Sequence, residues 1–229
     1  MKKKTFLENE YYHLFNRGID KRMVFSTQGD FDRFKAYLYL LNDEESPRAA
    51  NFFEGNRQAS IYTSGRANPL IAIGAYCLMP THFHIIATPL VENGISRFMQ
   101  KLLTAYTMYF NQRILRSGSL FQGTYKSQRI QNDSHLKYLY SYIHFNPAGY
   151  FHDDWQVASE ADLLALERNI STYPYSSARE YFTSTFVIVS PSYYPRYLTR
   201  AKDMRAHLNF WIKFRDTMRE TSDRVIGIN

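Results

Sequence analysis

CLMPTHFHIIATP, residues 77–89, places His82 and His84 on either side of one bulky apolar residue, Phe83. In an extended strand, side chains at i and i+2 point to the same face, so both imidazoles converge while Phe83 packs behind them. That geometry suits the chelation of one ion. On spacing alone, the pair equally well describes two strand histidines with separate hydrogen-bond partners. Pro80 breaks the apolar run just before them, so Ile71 to Ile86 reads as the central strands with a bend or hairpin corner at Pro80.

A second constellation follows about sixty residues on. SHLKYLYSYIHFNPAGY, residues 134–150, reads as a helix with Ser134 as N-cap and Pro147 ending it. Tyr142 and Asn146 stand four apart in its last turn, so a phenol and an amide share one face. Tyr138 lies on that face one turn earlier. Tyr140 lies about two hundred degrees around the helix from Tyr142 and reads as core. His144 faces elsewhere and reads as a packed or capping histidine, and His13 in the first strand as a satisfied strand histidine, with a role behind a ligand as its alternative.

Around these two segments the pattern is mixed α and β. YYHLFNRGIDKRMVF, residues 11–25, predicts a strand from Tyr11 to Phe15, a turn at Gly18 and a return at Met23 to Phe25. Asp30 is read as the cap of a helix carrying Phe31, Phe34, Leu38 and Leu41 at three-or-four spacing. Residues 43–68 are polar, with Pro47, Gly55 and Gly65, and read as an insertion or long loop. Apolar residues recur helically from Ile95 to Leu115, and Leu120 to Ile130 alternates as a strand. Farther on, Asp153 to Asn169 reads as an acidic helix, YPYSSAREYF (173–182) as a turn into another helix, and TFVIVSPS (185–192) as a short strand. Thr199 to Arg224 reads as a basic amphipathic helix.

Composition narrows the class. The chain has 229 residues, 45% of them hydrophobic, which suits one sizeable core with appendages. A net charge of +7 favours a polyanionic partner. Aromatics are abundant, with 19 Tyr and 17 Phe, and most are expected in the core while some stack on bases. The single cysteine, Cys77, excludes an internal disulfide and a cysteine-based zinc cluster, and its apolar surroundings predict a buried thiol. The N-terminal MKKKTFLENE has no apolar region after its basic start, and no apolar run approaches the ~18 residues of a membrane span. Cytoplasmic residence and no membrane partner are the expectation.

The chain resembles the REP-associated tyrosine transposases, a branch of the HUH single-tyrosine transposases of the insertion-sequence-200 type. The resemblance is carried by MPTHFHIIATP (79–89), TAYTMYFNQRILRSGSLFQGTYKSQRI (104–130), SYIHFNP (141–147) and YPYSSAREYF (173–182). In the family's order, it runs from about Tyr11 to Phe182. It implies an α+β, ferredoxin-like sandwich: an antiparallel sheet of four to five strands, helices on one face, the tyrosine helix across the histidine strand, and a helical C-terminal extension. Residues 1–150 would form the catalytic domain, with 43–68 inserted, and 151–229 an extension packed on it.

The same resemblance implies that Tyr142 is the nucleophile. His82, His84 and Asn146 would hold a divalent ion, Mg²⁺ or Mn²⁺, weakly, since Asn146 is neutral where many relatives carry Gln or Glu. It further implies single-stranded DNA with a repeat hairpin as substrate, cleaved and rejoined through a 5′-phosphotyrosine. Relatives in the wider group pair as dimers; the extra C-terminal residues favour a monomer here, with a homodimer as the alternative. Arg17, Lys21, Arg22, Arg97, Lys101, Lys126 and Arg129 are the cations expected to meet DNA. Two other classes remain: a hairpin-binding protein without catalysis, and a two-histidine metal hydrolase. The hydrolase would need acidic residues near the histidines, whereas none stands between Met79 and Leu90 and Glu92 is the nearest.

Overall fold

The structure is a computed structural model, which describes residues 5–46, 53, 61–63, 65–151, 160–200 and 206. The elements are β1 (Tyr12–Arg17), α1 (Gln28–Leu40), β2 (Ile71–Met79), β3 (His82–Pro89), α2 (Gly94–Arg113), β4 (Lys126–Arg129), α3 (Asp133–Phe145), α4 (Ala148–Phe151), α5 (Glu160–Thr172) and α6 (Ala178–Thr183). The four strands form one antiparallel sheet in the order β2-β3-β1-β4. With a helix between β1 and β2 and another between β3 and β4, this is the βαββαβ ferredoxin-like arrangement.

The alternation of β3 decides which layer meets which face. Phe83 points to one side, where its ring lies 5.1 Å from Phe34 of α1 and 5.7 Å from Phe121. Fully buried Phe25, Phe34, Phe98, Leu102 and Tyr106 complete that layer, so much of the aromatic content is core. His84 points to the other side and meets Tyr142 of α3. The expected helices on one face are therefore α1 and α2, and α3 is laid across the opposite face.

Several boundaries differ from the sequence reading, each for a local reason. Met23 to Phe25 is not a strand: the N–H groups of Val24 and Phe25 both donate to Pro80 O, at 2.8 and 3.0 Å, so no ladder forms. α1 is capped by Thr27, and Asp30 is the third helical residue of a capping box. Asn132, not Ser134, caps α3, accepting the His135 N–H at 2.9 Å. β4 is only four residues long, because Leu120 and Phe121 turn inward and Gly123 takes φ +68° before the strand begins. Residues 185–192 form no strand either: the Glu180 carboxylate accepts the N–H groups of Val187, Ile188 and Val189, at 2.7, 2.9 and 3.3 Å.

The ends of the 43–68 stretch are tied together. Asn42 donates to Ile71 O and accepts from Ile71 N–H, while Glu44 N–H donates to Asn68 O. Residues 47–52, 54–60 and 64 lie outside the described residues. So do 152–159, the start of the expected acidic helix, and all of the expected last helix except Thr199, Arg200 and Ala206. Among the described residues, no helix is long and apolar enough to cross a membrane.

β2 would leave its outer edge bare. The segment after α5 covers it: Leu78 N–H donates to Tyr175 O, Ser177 N–H to Tyr76 O, and Ser190 N–H to Ile73 O. Tyr194 seals the end, buried, with its hydroxyl donating to Ala72 O at 2.8 Å. Its ring occupies the space in which a side chain on Gly74 would stand, 2.4 Å from an added Cβ. The ring is held by its own hydrogen bond and cannot swing aside. Gly74→Ala should therefore cost about 1–3 kcal/mol by overpacking, read as a lowered urea midpoint; an unchanged midpoint would show that Tyr194 is free to move.

Candidate active site

The site grows from β3 and its neighbours. His82 and His84 share the face away from α1 and α2, with ring centroids 5.1 Å apart. Across the ladder, His84 stands opposite Phe15 on β1 and Cys77 on β2, and His82 opposite Arg17 and Met79. Directly paired residues point the same way. One face therefore carries two imidazoles, a thiol, a guanidinium and the apolar Phe15 and Met79. Cys77 is fully buried, as expected, and burial pushes its thiol up, so it stays uncharged.

α3 presents Tyr142 to this face because its opposite row is anchored elsewhere. Tyr140 and His144, four apart, pack on α6: the Tyr140 and Tyr181 ring centroids are 5.5 Å apart, and His144 Nε2 lies 2.7 Å from Ser177 Oγ. Those two contacts set the rotation of the helix. The row Tyr138, Tyr142 and Asn146 then looks at β3. The half-buried Tyr142 ring stands edge-on to His84 at 5.4 Å and 86°, and Tyr138 lies nearly parallel to it at 6.4 Å. Asn146, at the C-cap of α3, hydrogen-bonds both the Tyr142 phenol and His82.

Electrostatics follow from burial and these contacts. Burial, with a smaller push from the Arg17 cation, lowers the His82 imidazole to about 4 against the lift of its Asn146 hydrogen bond. Burial first, then His13 and His82, hold His84 well below the usual imidazole value. Both rings are neutral near pH 7, the state in which a ring nitrogen offers a lone pair to a metal. Burial raises the Tyr142 phenol; Asn146 and Arg17 oppose it. The phenol keeps its proton until something draws it off.

These residues fit a divalent ion. Nε2 of His84 is buried with no hydrogen-bond partner among the described residues. His82 Nδ1 is engaged by Thr81 Oγ1 at 2.9 Å, leaving Nε2 as its other ring nitrogen. The contact between His82 and the Asn146 amide brings two donor groups together beside it. Two imidazoles and one amide oxygen form a neutral set, which leaves positions on the ion for water or phosphate.

The cations separate into groups. Arg17 lies at the site, close enough to act on both His82 and Tyr142. Lys126 stands opposite Phe15 on the same face, with Nζ 5.8 Å from that ring. Lys21 and Arg22 are exposed at the turn after β1, where Arg22 pairs with Asp20 at 3.6 Å. Arg97 pairs with Glu44 at 2.7 Å, and Lys101 donates to Asp43 O at 2.7 Å and Glu44 O at 3.0 Å. Both belong to α2, across the sheet from Tyr142. Arg129 is paired with Glu10 at the edge strand.

Sequence reasoning gave His13 no firm place. It is fully buried on β1, one pleat before Phe15, with Nε2 2.9 Å from His84 Nδ1. Its neighbour in space is 71 positions away in the chain, and only the pairing of β1 with β3 reveals the contact.

Residues 57–146 match the model of a family described as IS200-like transposases. This segment spans β2, β3, α2, β4 and α3, and thus His82, His84, Tyr142 and Asn146. A search of the curated proteins gives no match. Among solved structures, a REP-associated tyrosine transposase bound to a REP hairpin aligns over 89% of this chain and 92% of its own, with 14% identity and a TM-score of 0.46. Residues 57–146, which carry both the histidine strand and the tyrosine helix, are thus similar to the IS200-like transposases.

Proposed function

We propose that the protein is a metal-dependent single-stranded DNA transesterase of the REP-associated branch. It would cleave and rejoin DNA beside a repeat hairpin through a 5′-phosphotyrosine on Tyr142. The observation that carries this reading is the cluster in which Asn146 hydrogen-bonds both Tyr142 and His82 while the Tyr142 ring rests on His84. A phenol and three uncharged metal-binding groups meet at one point. The hairpin substrate rests on the resemblance of the sequence motifs.

Tyr142 supplies the attacking oxygen. As its bond to phosphorus forms, the bond from phosphorus to the 3′ oxygen breaks; the phenolic proton passes to solvent, and the departing 3′ oxygen takes one up. The reverse attack by a 3′ hydroxyl restores the phosphodiester and frees the phenol, so joining needs no external energy source. Mg²⁺ or Mn²⁺, held by His82, His84 and Asn146, would supply positive charge at the non-bridging phosphate oxygens. Arg17 adds a fixed positive charge on the same face, and the Asn146 hydrogen bond favours the phenolate.

The test is a denaturing gel of the protein incubated with end-labelled single-stranded hairpins and Mg²⁺, Mn²⁺ or a chelator. A labelled protein–DNA adduct that forms with either metal and disappears with chelator is expected. Hairpin binding with no adduct under any of the three conditions would leave a DNA-binding protein in place of the transesterase.

A further inference from the structure

We infer that His13 is a positioning residue that orients the His84 ring and can accept its Nδ1–H, so that Nε2 of His84 is able to offer its lone pair to the ion. The inference rests on the reading of His84 as a metal ligand. His13 Nε2 and His84 Nδ1 are 2.9 Å apart, both side chains are wholly buried, and the rings stack at 5.1 Å and 18°. Phe15 closes the stack from the same strand, 4.6 Å from His13 and 5.9 Å from His84. The His84 ring is thus held edge and face.

A neutral imidazole carries one N–H, so the contact can be made in two ways. If His13 donates from Nε2, His84 accepts at Nδ1 and carries its own proton on Nε2, where it cannot bind a metal. If His84 donates from Nδ1, His13 accepts and His84 Nε2 is a bare lone pair. Each arrangement makes one hydrogen bond, and each leaves the buried His13 Nδ1 and His84 Nε2 without a partner among the described residues. Protein contacts alone therefore balance the two forms, and an ion at His84 Nε2 selects the second. His13 supplies the acceptor that lets this form arise at no cost in hydrogen bonds. A carboxylate or backbone carbonyl, which accept only and commonly partner a metal-binding imidazole, would have permitted that form only. A histidine permits both, so the site can also rest without metal in the form that withholds Nε2.

The experiment compares wild type, His13→Phe, His13→Gln and His84→Ala. Free Mn²⁺ is followed by electron paramagnetic resonance, and long-range ¹H–¹⁵N spectra are recorded on Mg²⁺-loaded wild type. His13→Phe keeps a ring against Phe15 but has no acceptor, and should bind Mn²⁺ about 10–100-fold more weakly. His13→Gln, whose amide oxygen reaches the place of Nε2, should recover part of that loss. Wild-type His84 should show its proton on Nδ1. Equal Mn²⁺ affinity in wild type and His13→Phe would overturn the inference while leaving the metal reading intact; a His84 proton on Nε2 with Mg²⁺ bound would overturn both the inference and the reading of His84 as a ligand. Wild type that binds Mn²⁺ no better than His84→Ala would overturn the metal reading and this inference together. The wild-type spectra need no variant to fold.

Discussion

Tyr142→Phe should form no DNA adduct with either metal, while its affinity for hairpin DNA stays within about twofold of wild type. The substitution removes one oxygen and keeps the ring that stands edge-on to His84 at 5.4 Å, so the packing of α3 on β3 is preserved. Loss of an attacking hydroxyl is worth on the order of 10⁶-fold where covalent catalysis has been dissected. No other group takes over at this position. Tyr138 is the rival, on the same row and 6.4 Å away, but it is 7% exposed and lies one turn farther from Asn146. Tyr138→Phe should therefore still form the adduct. The decisive readout is peptide mapping of the wild-type adduct: label on Tyr138, or an undiminished adduct in Tyr142→Phe, would move the nucleophile.

Those two residues also show why part of the site was legible in the sequence. His82 and His84 lie two apart in a strand, and Tyr142 and Asn146 four apart in a helix, so each pair is fixed by the period of its own element. What brings the pairs together is not local. α3 is turned toward His84 by Tyr140 and His144 gripping α6, through Tyr181 and through Ser177, the latter 33 positions from His144. His13 was ambiguous for the same reason, since its role depends on the register that sets it diagonally from His84 across β1 and β3. Charge was the weakest guide. Lys101 and Arg97 read as cations that meet DNA, and in the structure both tie α2 to the segment after α1. The apolar run 185–192 had the composition of a strand, yet a single buried carboxylate, Glu180, takes three of its N–H groups. Thr27 and Asp30 did carry a readable signal: a hydroxyl followed three residues later by an acid is a capping box, which moves the helix start ahead of Asp30.

Asp30→Ala should lower the unfolding free energy by about 3 kcal/mol, a loss large enough to threaten the fold. The carboxylate is completely buried and accepts from every side. Ser26 N–H, Ser26 Oγ and Thr27 N–H each donate at 2.9 Å, Tyr109 donates at 3.1 Å, and Arg113 Nε approaches to 2.8 Å. Tyr109 and Arg113 are one turn apart on α2, so a single side chain both caps α1 and bolts it to its neighbour. Removing it orphans several donors at once, although Arg113, 30% exposed, can rehydrate, which sets the figure near the low end for a broken buried pair. The pH dependence gives a second reading. Burial alone would raise this carboxyl, but the Ser26 and Thr27 donors and the Arg113 guanidinium outweigh it and hold it below its ordinary value. A depressed carboxyl contributes its full stability above the unfolded-state value of about 4 and loses it as pH falls through the lower folded-state value. The gap between wild type and Asp30→Ala in urea unfolding should therefore be constant near neutrality and shrink below about pH 4. A gap that persists unchanged in acid would mean that Asp30 acts by shape and neutral hydrogen bonds rather than by charge. Because α1 and α2 form the layer behind Phe83, a weakened Asp30 junction should also loosen the strand that holds His82 and His84, and an adduct yield that falls faster with temperature in the variant than in wild type would reveal that coupling.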